Sequence, residues 1–274
     1  MKNSVYKSIS IISLFSFFLY SCTEVIDIDL NSTNPVVVAE GYMEPGSPAS
    51  LRLTYSTDYF NMEEARLIEN ARVILSDQRG KSESMMYQGD GLYTSEQLRG
   101  KVHNDYTLSI EVDGKAYSGF SSLLPQAEII SISYSKLLLG DSEASQLLGY
   151  ALNVAFQEHP EMDVYYALKI KKNGLYAANT YGLASTRAND EGNLMYESKS
   201  FFVSPGDTLE IAVYSIDFEA YAYYSELNEG LSGNMIMSPA PFNARSNLGE
   251  DIMGYFMARS RMDTIVVVPT LGTE

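Results

Sequence analysis

The chain has no tryptophan, two histidines and one cysteine among its 274 residues. Each shortage excludes something. Cys22 has no second thiol to meet, so no intramolecular disulfide can support the fold. With that thiol the sole one, a thiolate zinc site is excluded as well. His103 lies in the loop Gly100–Asp105 and His159 precedes Pro160, in different predicted domains. Neither shows the spacing of a helical metal site or sits beside a G-x-S-x-G nucleophile turn, so histidine-based catalysis has no support. The lack of tryptophan weakens a carbohydrate-binding reading without excluding it, because 21 tyrosines remain to stack on sugar rings. Basic residues are also scarce, 19 against 35 acidic ones, for a net charge of −16. Without Lys2 and Lys7, 17 basic residues face the same 35 acidic ones and the net charge is near −18. That sign repels nucleic acid and anionic bilayer surfaces, and neither is expected as a partner. No apolar run reaches the roughly 20 residues of a spanning helix.

What is present begins with an address. Lys2 and Lys7 precede an apolar run, Ile9–Tyr20, broken only by Ser10, Ser13 and Ser16 and closed by small residues. This is the pattern of an export signal. Leu19-Tyr20-Ser21-Cys22 is similar to the bacterial lipobox, where cleavage occurs before a cysteine that carries a diacylglycerol. Residues 1–21 are therefore expected to be a lipoprotein signal peptide and Cys22 the lipidation site, bearing palmitate-type chains. Each buried methylene of those chains contributes about 0.8 kcal/mol, so two or three chains anchor the protein without a span. The expected location is the cell envelope, at the outer membrane, on either its periplasmic or its surface face.

Beyond Cys22 the text is written in period two. Tyr106, Leu108, Ile110 and Val112 alternate with Thr107, Ser109 and Glu111, and Asp113-Gly114 then returns the chain as a hairpin. Asp77-Gln-Arg-Gly80 and Gly89-Asp-Gly91 mark further turns. The expected fold class is mainly β: two consecutive sandwiches, the first immunoglobulin-like or transthyretin-like. Residues 22–34 form the anchor segment and the start of the first domain, 35–124 the N-terminal sandwich, and 125–274 a C-terminal β-rich domain, with Pro125 at the boundary. Strands expected in the second domain are Glu128–Leu138, Leu147–Gln157, Val164–Lys171, Thr208–Ser215, Gly254–Ala258 and Thr264–Val268. Asn173–Ser200 reads as polar and irregular. One helix is expected near 217–231, capped by Asp217, with Tyr221, Tyr224, Leu227 and Leu231 on the face that packs against a sheet.

Few residues converge on chemistry. Asn189-Asp190-Glu191 and Gly249-Glu250-Asp251 offer oxygens but not the spacing of a calcium loop, and solvated turns are expected there. No phosphate-cradling glycine loop is present, and no cofactor is implied. The loop Ser238–Asn247, rich in proline and asparagine, combines with Met235, Met237 and Phe242 to form a candidate partner-contact segment that includes Asn247.

The ordered stretches "SCTEVIDIDL", "VVVAEGYM", "YTLSIEVDGKAYSG", "PGDTLEIAVYSIDFEAYAYYSEL" and "SNLGEDIMGYFMARS" with "TIVVV" resemble the landmarks of the domain-of-unknown-function 4249 family of Bacteroidota envelope lipoproteins. The resemblance runs from Cys22 to Pro269. It implies an accessory to a TonB-dependent outer-membrane receptor, in nutrient uptake or sensing, and supplies no catalytic residue; Cys22 alone carries over, as the lipidation site. The leading expectation is thus a non-enzymatic lipoprotein that contacts a β-barrel or its ligand. A surface adhesin or assembly subunit is the alternative, and a carboxylate-based hydrolase the second alternative.

Overall fold

The computed structural model describes residues 35–57, 64–139, 146–157, 163–186, 194–231 and 242–270. Cys22, Met235, Met237, His159 and Asn189-Asp190-Glu191 lie outside the described residues. All that follows concerns the unit Pro35–Glu274.

Alternation builds the first pair of sheets. β1 (Val37–Met43), β2 (Pro48–Tyr55), β5 (Met86–Gly89), β6 (Leu92–Arg99) and β16 (Ile252–Ala258) make one sheet in the order β16-β1-β2-β6-β5. β3 (Arg72–Asp77), β4 (Ser82–Ser84), β7 (Asn104–Val112) and β8 (Lys115–Leu123) make the other, β4-β3-β7-β8. On β7 the alternation is realised as read: Tyr106, Leu108, Ile110 and Val112 are buried and meet Leu51, Leu53, Leu75 and Phe256 in one core. Asp113 and Gly114 adopt φ of 52° and 74°, the left-handed pair that a tight hairpin needs. Asp77 Oδ1 accepts from the backbone N–H of Arg79 and Lys81, each at 2.9 Å, which closes the β3–β4 turn. The excursion after β2 is pinned by Leu67 bridging Thr54 and by Tyr93, whose hydroxyl donates to Ile68 O and accepts from Ala71 N.

The second pair follows the same physics with longer strands. β9 (Ile129–Leu139), β10 (Gln146–Phe156) and β14 (Met195–Glu197) form a sheet in the order β14-β10-β9. Opposite it, β11 (Tyr165–Lys172) pairs with β15 (Thr208–Ile216), and β15 with β17 (Ser260–Val267). β12 (Leu175–Tyr176) and β13 (Gly182–Ser185) share the other edge of β11. Leu152, Val154 and Phe156 face Leu168, Ile170, Ile211 and Val213 in a second core. The class is mainly β, of sandwich type, as expected.

Two expectations change. The described residues of Asn173–Ser200 contain three short strands, β12, β13 and β14, of two to four residues. Such segments are too short to show a period and form because β11 and β10 supply partners. The second change concerns Gly254–Ala258, expected to close the C-terminal domain. These residues, as β16, instead pair in parallel with β1 and put Phe256 and Ala258 into the first core. Gly254 permits this approach, since a Cβ there would lie 2.1 Å from Ala39 O and its φ is 84°. The first sandwich is therefore completed by chain from beyond the second.

The helix α1 (Phe218–Leu231) joins the two. Asp217 caps it, accepting from Ala220 N at 2.8 Å, and also accepts from Ser121 Oγ at 2.5 Å and Ser122 N at 3.1 Å on β8. Ala220 and Tyr224 of α1 pack with Tyr165, Ala167 and Ile216 of the second sandwich and with Tyr255 and Met257 on the outer face of β16. Leu231, expected on the packed face, is exposed. Among the described residues no helix is long and apolar enough to cross a membrane.

Candidate functional site

A cavity of about 560 Å³ opens between the edge strands β13 and β14 of the second sandwich. Its floor is apolar, with Leu168, Ile170 and Ala184, and its walls carry Tyr181, Tyr196 and Phe201. Local sequence sets this shape. Gly182 lies against the Tyr196 ring, and a Cβ there would sit 2.4 Å from that ring, so glycine lets the phenol bridge the two sheets. Burial pushes the Tyr196 hydroxyl up to about 12, which keeps it protonated and able to donate throughout the physiological range.

The walls are fastened rather than loose. Asn228 of α1 accepts from Tyr181 N at 2.9 Å and donates to Tyr181 O at 2.8 Å, a two-point staple. Lys169 Nζ donates to Asn179 O at 3.0 Å and lies 4.4 Å from the centre of the Tyr181 ring. Burial lowers its pKa. On the other side the buried Ser198 hydroxyl accepts from Leu152 N and donates to Phe201 O. Hydroxyls of Thr180 and Ser200 line the recess, and Glu197 and Lys199 stand exposed at its rim. Glu197 is the only carboxylate among the described lining residues, so two acids do not converge there. Stacking on phenols, hydrogen bonding to hydroxyls and one charge of each sign at the mouth suit binding of a small, partly apolar molecule.

The sequence profile of DUF4249, a domain of unknown function, matches residues 23–265. The chain belongs to this family. No curated protein matches it.

In this DUF4249 protein the candidate partner loop is only partly seen. Phe242 is exposed, as a contact residue must be. Asn247 turns inward: its amide donates to Phe120 O at 3.0 Å and Phe256 O at 2.8 Å, and accepts from Phe256 N at 3.1 Å. It joins β8 to β16, and three of the four hydrogen bonds its amide can make are spent on backbone groups of those strands. His103 occupies a left-handed turn, φ 65°, with its N–H bonded to Leu123 O. Asp251 pairs with Lys115 at 3.5 Å on the surface, and no cluster of three potential metal ligands exists among the described residues. The cavity was missed by sequence reasoning because its parts come from Gly182, Tyr196 and Asn228, three segments linked only by the fold. The tyrosine-glycine pair Tyr181-Gly182 was the one local signal.

Proposed function

We propose that this DUF4249 protein is a non-enzymatic outer-membrane lipoprotein, anchored through acyl chains on Cys22, that serves as an accessory to a TonB-dependent β-barrel receptor in nutrient uptake or sensing. The observation that carries the binding part of this reading is the cavity between β13 and β14, preformed by fastened walls and lined for contact rather than for paired-carboxylate chemistry. The export pattern ahead of Cys22 supports the anchor, and the family resemblance supports the receptor. Pull-down of the tagged protein from its native envelope in mild detergent, read by mass spectrometry, tests it. One TonB-dependent barrel at stoichiometric yield is the expected result. Recovery of the lipoprotein alone, or as a ladder of itself, overturns the reading.

That second outcome would favour an adhesin or assembly subunit. One observation supports it: β9 and β17, of 11 and 8 residues, have no partner strand on their outer edges among the described residues. Unpaired edges of that length accept strands from another chain.

A further inference from the structure

We infer that the first sandwich is a mechanical clamp whose strength lies in the parallel pairing of β1 with β16. β1 is the described strand nearest Cys22 in the sequence, and its seven residues pair in register with β16, from Val37 beside Ile252 to Met43 beside Ala258. After Ala258 a single residue, Arg259, leads into β17, which is woven into the second sandwich against β15. A load that enters ahead of Val37 and is resisted beyond Arg259 drags β1 toward its N-terminal end and β16 toward its C-terminal end. Parallel neighbours pulled from opposite ends are in shear. Their evenly spaced hydrogen bonds share the load and must fail together. The same two strands pulled from the same end would open one bond at a time.

The far end of this ladder is gripped from both sides. Arg259 N donates to Met43 O at 2.9 Å, and Arg259 Nε donates to Glu44 Oε1 at 3.0 Å. The guanidinium lies over Tyr42 of β1 at 4.4 Å and over Tyr214 of β15 at 4.6 Å, so one side chain is held between the two sandwiches. Close by, Ala258 N donates to Ser121 Oγ at 2.8 Å, and Ser260 Oγ donates to Leu124 O at 2.5 Å. The arrangement is costly to reach, because Arg259 and Glu44 are 215 residues apart and pairing at that separation slows folding. A local antiparallel strand would close the edge of β1 more simply but would not put the tether and the second sandwich at opposite ends of one ladder.

The inference rests on the proposed anchor at Cys22 for where load enters the molecule. The experiment applies the load directly and needs neither lipid nor receptor, so it can fail while that proposal stands, and the reverse. Unlipidated chain beginning at Cys22 is pulled in single-molecule force spectroscopy, with Cys22, its sole native thiol, as one handle. The second handle is Thr270→Cys, beyond β17, or Asp251→Cys, just before β16; both positions are exposed. Matching thermal melts establish that both variants are folded. The first rupture force for the 22–270 pair is expected to be several-fold above that for the 22–251 pair, since rupture under load is set by the unfolding barrier along the pulled direction. Equal first rupture forces in the two geometries overturn the inference.

Discussion

In the first sandwich the nine-residue edge of β8 is partly covered, whereas in the second the longest edges carry no partner strand among the described residues. Along β8 one outward-facing group on each of three alternate residues is bonded: Ser118 N by Leu248 O, Phe120 O by the Asn247 amide and Ser122 N by Asp217. Of the remaining edges of that sandwich, β4 and β5 are three and four residues long, and on β16 the N–H and carbonyl of Phe256 bond the Asn247 amide while Ala258 N donates to Ser121 Oγ. The Glu83 carboxylate accepts from Glu96 N and Gln97 N and so occupies two more donors. On the outer edge of β17 the Gln126 amide donates to Arg261 O at 2.9 Å, but neither β17 nor β9 has a partner strand there among the described residues, and β13 and β14 flank the cavity. Closed edges prevent addition of foreign strands and leave a rigid body; open edges and a recess are where another molecule can be met. Within one chain, partly covered and open edges are thus divided between two sandwiches of the same class.

The sharpest way to break this division is to loosen what joins the halves. Tyr224 is buried between them, with its hydroxyl 3.5 Å from Met257 Sδ and its ring 4.2 Å from that of Tyr181. Tyr224→Ala is expected to cost about 3–5 kcal/mol in chemical denaturation, and to separate the unfolding of the two sandwiches into distinguishable transitions. Next in size is Gly254→Ala, where both the left-handed backbone and the contact with Ala39 O oppose a side chain. A loss of about 2–3 kcal/mol is expected. Hydrogen exchange should show β1 and β16 losing protection while the β9–β10 hairpin keeps it.

Asn247→Ala tests whether covering an edge matters. Removing an amide that serves two carbonyls and one N–H should cost roughly 1–3 kcal/mol, while Phe242→Ser, at an exposed position, should stay within about 0.5 kcal/mol. Equal effects would restore Asn247 to the surface role its sequence context implied.

The smallest effect at neutral pH concerns the tyrosines of the second sandwich. Burial raises Tyr166 and Tyr196 to about 12, from 10.0 in the unfolded chain, with the charge of Glu128 adding to the shift at Tyr166. Their folded pKa values are raised, so their contribution is fully present below pH 10 and is lost as pH rises from about 10 through 12, where the unfolded state loses its proton first. Tyrosinate absorbance followed with circular dichroism should show β-structure being lost in that window as these phenols ionise.

Much of this architecture was legible. The β7–β8 hairpin was written in the alternation Tyr106–Val112 and in Asp113-Gly114, and α1 in Asp217 and the tyrosines after it, because these signals are local. The partner of β16 was not legible, since period and turn chemistry name a strand but not its neighbour. One clue is present in the sequence: Ile252-Met-Gly-Tyr-Phe-Met-Ala258 contains no charged or amide side chain and only one hydroxyl, the mark of a strand covered on both faces. Phe256 indeed faces the first core and Tyr255 the cluster with α1. The candidate site was less legible still. Asn247 looked like a surface group because its sequence neighbours are polar, yet the backbone of β8 and β16, distant in sequence, claims its amide.

The return of β16 to β1 also fixes an order of events during synthesis. The second sandwich is in effect an insertion within the first, so residues 35–124 emerge long before the strand that completes their sheet. Until Ile252–Ala258 arrives, β1 has β2 on one side and a bare edge on the other, beside a core that still lacks Phe256. Such an intermediate is prone to mispairing. The first sandwich therefore cannot complete its sheet and core until the chain through Ala258 has emerged.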